Sequence, residues 1–298
     1  MASASQWVQG ARPRTLPAAL APVAAGTGAA IWQLGADGGT TDWSQVVPRA
    51  LLALAVSFSL QIGVNFANDY SDGIRGTDDD RVGPFRLTGS GAAAPATVKR
   101  AAIGSLALGG LFGLALVALA QIWWTLLIGA AAIAAAWFYT GGKRPYGYRG
   151  LGEVFVFLFF GLVAVNGTAY AITLQLSAPA VLASIAIGLL AVALMLTNNL
   201  RDIPTDALSG KRTLAVRLGD RGTRVLYAAM LLLPFVLLVP VMIVQWPTVL
   251  VLAALPLAIG PVRAVLGGAA GRELIAVLGA TGRLELVYSL LLLIGLSL

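Results

Sequence analysis

Two short runs of carboxylate and carboxamide side chains contain the residues that are best suited to chemistry. The first run comprises Gln61, Asn65, Asn68, Asp69 and Asp72. Apart from Asp69, its members are spaced by four, three and four residues, which places them on one face of a helix. Polar side chains in such an apolar helix either bond to a neighbouring helix or face a polar cavity. Two like charges within one helical turn need a cation, so we interpret this run as a functional site.

The second run contains Asn199, Asp202 and Asp206, which are spaced by three and four residues and again share a helical face. Pro204 lies inside the run, so we expect the helix to kink or end there. Because both runs are of the same kind, we interpret them as two halves of one clamp for a metal ion.

The absence of cysteine and histidine narrows the chemistry that the chain can perform. The chain can form no disulfide, and it has no thiolate or imidazole to act as nucleophile, base or metal ligand. Paired carboxylates without such ligands favour a hard cation such as Mg²⁺. Mg²⁺ between carboxylates suits the binding of a diphosphate, whose departing negative charge would be neutralised by the basic residues Lys143, Arg144, Lys211 and Arg212. Taken singly, each of these basic residues is also explained as an ordinary membrane anchor.

The composition of the whole chain indicates a membrane protein with many spans. Of its 298 residues, 58% are hydrophobic and 11% are charged, and the mean hydropathy is +0.84. Soluble domains carry about 25% charged residues because their surface must be hydrated. Apolar runs close to the roughly 20 residues that span a bilayer predict nine transmembrane helices, at residues 15–34, 46–67, 100–119, 121–138, 151–173, 178–198, 223–244, 246–266 and 284–298. The last run is marginal unless its helix extends back past Arg283.

The distribution of basic residues predicts how these helices are oriented. Of the 20 basic residues, all except Arg49 fall on one side of the predicted membrane, and the positive-inside rule makes that side cytoplasmic. The N-terminus and both acidic runs then lie at the cytoplasmic face of the cell membrane, and the C-terminus lies outside. A net charge of +7 distributed in this way indicates contact with membrane lipids and not with nucleic acid. Pro17 and Pro22 interrupt the first apolar run, which disfavours a cleaved signal peptide.

The two acidic runs are separated by an even number of predicted helices, so they have the same orientation in the membrane. We therefore predict one all-α membrane domain over residues 1–298, with two parallel repeats and a final helix around a central cavity. The repeats cover about 15–138 and 151–266, and the final helix covers about 284–298. The long connection at residues 73–95, with Arg81 and Arg86, is a candidate lid over an anionic substrate.

These motifs resemble those of the UbiA-type intramembrane prenyltransferases. Asn68-Asp69-x-x-Asp72 and Asp202-x-x-x-Asp206 look like the two aspartate-rich motifs of that family. The likeness is closest to the branch that prenylates 1,4-dihydroxy-2-naphthoate in menaquinone synthesis, and it extends over segments 7–17, 65–73, 81–88, 139–148 and 199–214. One position departs from the pattern: where the family has a further aspartate this chain has Gly76, and Asp78 is the first acid that could replace it.

The resemblance implies a nine-helix bundle in which an aromatic carbon attacks a polyprenyl diphosphate activated by Mg²⁺. The metal ligands are then expected to be Asn68, Asp69, Asp72, Asp78, Asp202 and Asp206. Catalysis is assigned to Asp69, Asp72, Asp202, Asp206 and Lys143. Binding of substrates is assigned to Asn65, Asn68, Arg75, Arg81, Arg86, Tyr139, Arg144, Tyr146, Asn199, Arg201, Lys211 and Arg212. Tyr139 or Tyr146 would stabilise an allylic cation through its ring face or orient the acceptor through its hydroxyl.

The missing histidine also bears on the identity of the acceptor. After prenylation the ring must lose a substituent, and proton removal usually needs a base with a pKa near neutrality. An acceptor with a carboxylate on the attacked carbon loses CO₂ instead. This agrees with 1,4-dihydroxy-2-naphthoate and less well with 4-hydroxybenzoate, which would keep its carboxylate.

Two other classes of protein match part of the pattern. Asp69-x-x-Asp72-Gly73 also begins the signature of CDP-alcohol phosphotransferases, but the residues that complete that signature are absent from the following loop. A cation-coupled transporter also places acids inside the membrane, but it needs access from both faces. Here the polar residues lie at one end of otherwise apolar helices, which favours an enzyme.

Overall fold

The computed structural model describes residues 2–76 and 85–298, and within these two ranges the chain forms helices and no β-strand. The α-helices are α1 (Ala4–Gly10), α2 (Pro17–Ala36), α3 (Trp43–Gly73), α4 (Pro95–Ala120), α5 (Leu126–Phe138), α6 (Gly152–Val156), α7 (Ala164–Thr173), α8 (Ala178–Leu208), α9 (Leu214–Leu237), α10 (Val239–Val244), α11 (Leu255–Leu266) and α12 (Glu273–Ser297). Short 3-10 segments lie at Pro13–Thr15, Trp123–Thr125, Gly147–Arg149 and Trp246–Ala254, and a π-helical segment lies at Phe157–Val163.

Most of these helices are long and apolar enough to cross a membrane. Seven helical stretches in the described ranges meet this description: Trp43–Gly73, Pro95–Ala120, Gly152–Thr173, Ala178–Leu208, Leu214–Val244, Trp246–Leu266 and Glu273–Ser297. The N-terminal helices, which meet at 49°, form an eighth span if they are taken as one bent unit. The remaining predicted segment is a shorter apolar helix, Trp123–Phe138. The prediction of an all-α integral membrane protein is confirmed.

Two helices continue past the apolar runs that predicted them, and both carry an acidic run. α3 extends to Gly73, and α8 passes through Pro204 and ends only at Leu208. The helix therefore does not end at Pro204, and that part of the expectation is wrong. A proline removes one backbone hydrogen bond, and the bonds on either side keep the helix continuous. Both acidic runs consequently lie on unbroken helices.

The last helix is also longer than its apolar run. α12 starts at Glu273 and has 25 residues, which is enough to span a bilayer. The extension leaves Arg283 exposed and places Glu285 in the interior, fully buried. α12 packs against α2, α8 and the 3-10 segment Trp246–Ala254.

α8 is the central helix of the molecule. Of its apolar window 78% is buried, against 33% for α3. It packs against α9, α12, α2 and the π-helical segment. The approach to the π-helical segment is close, since a Cβ on Gly161 would lie 2.6 Å from the Ser184 carbonyl oxygen, and such contacts between small residues are typical of packed membrane helices. The second acidic run is therefore held on the best-packed element of the fold.

The most extensive helix contacts join α3 to α4 and α8 to α9. These are the second and third spans of each predicted repeat. The division into two repeats remains a prediction, which this correspondence supports.

Candidate active site

A cavity of about 980 Å³ runs through the helix bundle. Side chains of both acidic runs line one end: Asn65, Asn68, Asp72, Asn198, Asn199, Asp202 and Asp206. The rest of the wall is mostly apolar and reaches Ile122 and Leu176, in the turns at the far ends of α4 and α7. The cavity therefore joins a polar end to a long apolar space.

Four oxygen-bearing side chains face each other at the polar end. Asn68 and Asp72 lie one helical turn apart on α3, as do Asp202 and Asp206 on α8, and all four are buried. Lys211, which follows α8, brings the two helices together: its Nζ lies 3.4 Å from Asp72 Oδ1 and 3.8 Å from Asp206 Oδ1. The carboxylates of the two runs are thus close enough to share one cation.

Asp72 has further partners from two other segments. Tyr148 Oη donates to Asp72 Oδ1 at 2.6 Å, and Arg86 Nη2 lies 3.5 Å from Asp72 Oδ2. The Lys211 ammonium also lies over the Tyr148 ring, 4.6 Å from its centroid, an arrangement that is favourable for a cation. Asp72 is therefore the side chain on which loops and helices converge.

Asp69, which we expected to be a metal ligand, lies outside the cavity. It is fully buried outside the cavity wall, and its two carboxylate oxygens accept hydrogen bonds from the backbone N–H groups of Leu87 at 2.6 Å and Thr88 at 2.8 Å. One residue along a helix turns the side chain by about 100°, so Asp69 faces the loop while its neighbours Asn68 and Asp72 face the cavity. Asp69 therefore anchors the segment that contains Arg86, the residue whose guanidinium lies near Asp72.

Asp202 is held by the residue beside it. The Arg201 guanidinium donates from Nε at 2.7 Å and from Nη2 at 2.9 Å to the two oxygens of Asp202. Arg201 is buried and does not line the cavity, and its expected contact with substrate stays a prediction. Asn199, one turn earlier, lines the cavity and donates from Nδ2 to Glu153 Oε1 at 2.8 Å.

The other predicted basic residues that the structure describes lie outside the cavity wall. Lys143, Arg144 and Arg212 are exposed. Arg75 donates to the carbonyl oxygens of Thr140 at 2.5 Å and Gly142 at 2.6 Å, so it fixes the turn after α5 onto α3. Asp78 and Arg81 lie outside the described residues, and the lid that we expect at 73–95 falls partly among them.

The two predicted tyrosines do line the cavity. Their rings, of Tyr139 and Tyr146, are 5.6 Å apart, and Tyr146 stacks on Phe155 at 4.1 Å. Tyr146 Oη donates to the Ala135 carbonyl at 2.9 Å, so its hydroxyl is already hydrogen-bonded within the protein. Burial raises the pKa of Tyr146 above its ordinary value, so the phenol stays protonated.

Three residues of the site were given no role by the sequence. Thr140 Oγ1 donates to Asn68 Oδ1 at 2.9 Å, Tyr148 bonds to Asp72, and Glu153 bonds to Asn199. Tyr148 and Thr140 lie in a segment that the resemblance singled out. Glu153 is a carboxylate at the start of an apolar run, which is itself a signal of function.

The donor set suits Mg²⁺. Among the described residues, no three acidic side chains lie close enough together to enclose a metal ion. Mg²⁺, however, is usually bound by one or two carboxylates, with phosphate oxygens and waters completing its octahedron. Asp72 and Asp206 already hold the cationic Lys211 ammonium between them, and only oxygen ligands are present. The residues therefore fit a magnesium–diphosphate group.

The fold and this site define an intramembrane prenyltransferase: the chain belongs to the UbiA prenyltransferase family, whose model matches residues 19–295. It is 55% identical to the 1,4-dihydroxy-2-naphthoate octaprenyltransferase of Mycobacterium tuberculosis, over 97% of this chain and 96% of the relative. It is 43% identical to the Escherichia coli protein of the same name, over 76% of this chain and 72% of that one.

Solved structures show the same fold at low sequence identity. The apo structure of a UbiA homolog from Aeropyrum pernix K1 matches with a TM-score of 0.66 and 17% identity, over 93% of this chain and 96% of that chain. A UbiA homolog from Archaeoglobus fulgidus, bound to DMAPP and Mg²⁺, matches with a TM-score of 0.58 and 16% identity, over 97% and 99%.

Proposed function

We propose that this protein transfers a polyprenyl group from its diphosphate to 1,4-dihydroxy-2-naphthoate, with loss of diphosphate and CO₂, to give the hydroquinone form of demethylmenaquinone. One observation carries the proposal: the polar end with paired carboxylates and Lys211 opens directly into the long apolar cavity. A polyprenyl diphosphate has the same two parts. The names of the relatives that cover nearly the whole chain support this acceptor over 4-hydroxybenzoate.

The polar end binds the diphosphate. Asp72 and Asp206, with Asn68 and Asp202, would hold Mg²⁺, which when bound neutralises the diphosphate and makes it a better leaving group. Lys211 and Arg86 stabilise the negative charge that develops on the departing group. Lys143 and Arg144 lie on the turn whose Thr140 and Tyr146 line the cavity, and we assign them to contact with the diphosphate only once it is bound.

The apolar part of the cavity accommodates the prenyl chain and protects the reaction from water. When the C–O bond to the diphosphate breaks, its electrons leave with the diphosphate, and an allylic cation remains. The ring faces of Tyr139 and Tyr146 lie in the wall and stabilise this cation. Exclusion of water by the surrounding apolar side chains prevents its hydrolysis.

The acceptor restores its aromaticity by losing CO₂. The ring carbon that bears the carboxylate supplies the electron pair for the new C–C bond. The C–C bond to the carboxylate then breaks, and its electrons return to the ring as CO₂ departs. No proton has to be removed from carbon, which is consistent with a chain that lacks histidine.

Incubation of the purified protein with Mg²⁺, a polyprenyl diphosphate and the naphthoate labelled in its carboxylate carbon tests the reaction. We expect labelled CO₂ in equal amount to the prenylated product, no activity in excess chelator, and recovery when Mg²⁺ is restored. A prenylated product that retains the label would contradict the decarboxylation. Activity in excess chelator would contradict the role of the metal.

We also propose that the protein lies in the cell membrane with its N-terminus and the polar end of the cavity on the cytoplasmic side. The basic residues at that end support this orientation. A reporter that is active only in the cytoplasm should work when it is fused after Arg149 or Arg217. Activity of a reporter that works only outside the cytoplasm at these positions would contradict the orientation.

A further inference from the structure

An acceptor atom without a donor lies in the cavity wall, about three helical turns before Asp72 on α3. Gln61 on α3 is 7% exposed and lines the cavity. Its Nε2 donates to Thr15 Oγ1 at 2.9 Å, but its Oε1 is buried without a hydrogen-bond partner among the described residues. Buried polar atoms are nearly always hydrogen-bonded, because an unpaired one loses its hydration without compensation. A donor from a bound molecule would satisfy this oxygen.

Thr15 dictates which way the Gln61 amide points. A threonine hydroxyl has one hydrogen to donate and two lone pairs that accept. Thr15 Oγ1 donates to the Arg12 carbonyl at 2.9 Å and accepts from Gln61 Nε2 and, at 3.0 Å, from Asn65 Nδ2. Because its only hydrogen is used, it can face amide NH₂ groups but not amide oxygens. The Gln61 carbonyl oxygen is therefore held on the other side of the amide.

The hydroxyl of Thr15 is itself held by an unusual backbone conformation. Arg12 has φ 56° and ψ 71°, a left-handed conformation that is unfavourable for residues other than glycine. It directs the Arg12 carbonyl to both the N–H and the Oγ1 of Thr15, at 2.9 Å each. Arg12 follows the end of α1, much as the other described non-glycine residues with positive φ, Gln121 and Leu174, end helices α4 and α7. What sets Arg12 apart is that its carbonyl also fixes the side chain of Thr15.

We infer that Gln61 Oε1 accepts a hydrogen bond from a phenolic hydroxyl of the aromatic acceptor and so selects hydroxylated rings. The inference rests on the proposed function. Of the two substrates only the acceptor carries O–H donors, since the prenyl chain has none and the diphosphate is an acceptor of hydrogen bonds. Gln61 lies eleven residues before Asp72 on the same helix, or about 16 Å at 1.5 Å per residue. That separation accommodates a diphosphate and a bicyclic ring in series.

Binding of three naphthoates to purified protein tests this inference. The dissociation constants of 1,4-dihydroxy-2-naphthoate, 1-hydroxy-2-naphthoate and 4-hydroxy-2-naphthoate are measured for the wild type and for Gln61→Leu, with turnover of the dihydroxy compound in parallel. The wild type should bind the dihydroxy compound about 10- to 100-fold more tightly than one of the monohydroxy compounds, as expected for a site built around a hydroxyl. In Gln61→Leu this ratio should fall to about 2 or less, while the KM for polyprenyl diphosphate changes less than about 3-fold.

Two further variants make the result specific. Thr15→Val removes the hydroxyl that orients the amide but keeps Gln61, so the ratio should fall by a smaller factor. Gln245→Leu is the matched control, because the Gln245 amide donates to the Gly295 carbonyl at 3.3 Å outside the cavity wall; its ratio should equal that of the wild type. An unchanged ratio in both Gln61→Leu and Thr15→Val, or an equal loss of affinity for all three compounds, would overturn the inference and leave Gln61 as a link between α3 and the N-terminal segment. Absence of turnover by the wild type would instead overturn the proposed function, and the inference with it.

Discussion

The acidic ends of α3 and α8 look alike in sequence, but different parts of the chain hold them in place. On α3, Asp72 interacts with side chains from three other segments, Arg86, Tyr148 and Lys211. On α8, Asp202 is paired through two hydrogen bonds with its own neighbour Arg201. Long-range contacts thus surround Asp72, whereas Asp202 has a local ion pair.

The positions of the two helices explain this difference. α8 is surrounded by packed helices, and a carboxylate there needs a counterion that the same helix supplies, because an unpaired charge in such a place is costly. α3 lies beside the connections between helices, which deliver basic and aromatic side chains to it. The peripheral helix therefore gathers the loops around Asp72, and the central helix provides a fixed surface.

Removing Asp72 should have the largest effect on this arrangement. We expect Asp72→Ala to lower kcat/KM for prenyl transfer by at least ~100-fold, since it removes a proposed metal ligand and the carboxylate that contacts Lys211 and Arg86. Asp206→Ala should lower kcat/KM by a smaller factor, although still by more than ~10-fold. Both variants are assayed after their helical content has been checked by circular dichroism. A larger loss in Asp206→Ala than in Asp72→Ala would reverse the proposed roles of the two helices.

The next largest effect should separate the two lysines. Lys211 bridges the two runs in the absence of substrate, whereas Lys143 is exposed. We expect Lys211→Ala to lower kcat/KM by about 30-fold and Lys143→Ala by about 5-fold, since a preorganised charge contributes more than one that must move into place. Steady-state kinetics with varied polyprenyl diphosphate measure both. Equal losses would mean that Lys143 is already at the diphosphate.

Asp69→Asn distinguishes an anchor from a metal ligand. The amide keeps one acceptor oxygen for the backbone N–H groups of Leu87 and Thr88 and loses the other, so we expect activity to fall about 10-fold through poorer placement of Arg86. The Mg²⁺ concentration that gives half-maximal activity should stay within about 2-fold of the wild type, because the residue does not reach the cavity. Asp206→Asn is the comparison and should raise this half-maximal Mg²⁺ concentration by at least ~5-fold. A similar increase in Asp69→Asn would restore Asp69 as a ligand.

The smallest of these effects is expected for Tyr148→Phe. This change removes one hydrogen bond to a charged group, the one from Tyr148 Oη to Asp72 at 2.6 Å, and keeps the ring beneath Lys211. We expect kcat/KM to fall about 3- to 10-fold, with the KM for the naphthoate unchanged. Tyr170→Phe, on the apolar side of the cavity, is the matched control and should have no effect on catalysis at saturating substrate.

The helices and the general location of the site could be predicted from the sequence, because both depend on patterns along one segment. The apolar runs marked the spans, and the spacing of Asn68 with Asp72 and of Asp202 with Asp206 marked the faces that line the cavity. The extent of α8 beyond Pro204 could not be predicted in this way, since neighbouring helical hydrogen bonds outweigh the single bond that proline removes.

What the sequence alone determined is the class of the molecule and the chemistry open to it: a bundle of apolar helices, no cysteine or histidine, and oxygen ligands at one end. Tertiary structure alone decided which of the similar side chains line the cavity. Asp69 and Arg201 differ little in sequence context from Asp72 and Lys211. Asp69, however, is hydrogen-bonded to a loop, and Arg201 is paired with a neighbouring acid. The reason is that the direction in which a side chain leaves its helix is local, whereas which segments pack against that face is decided by the whole fold.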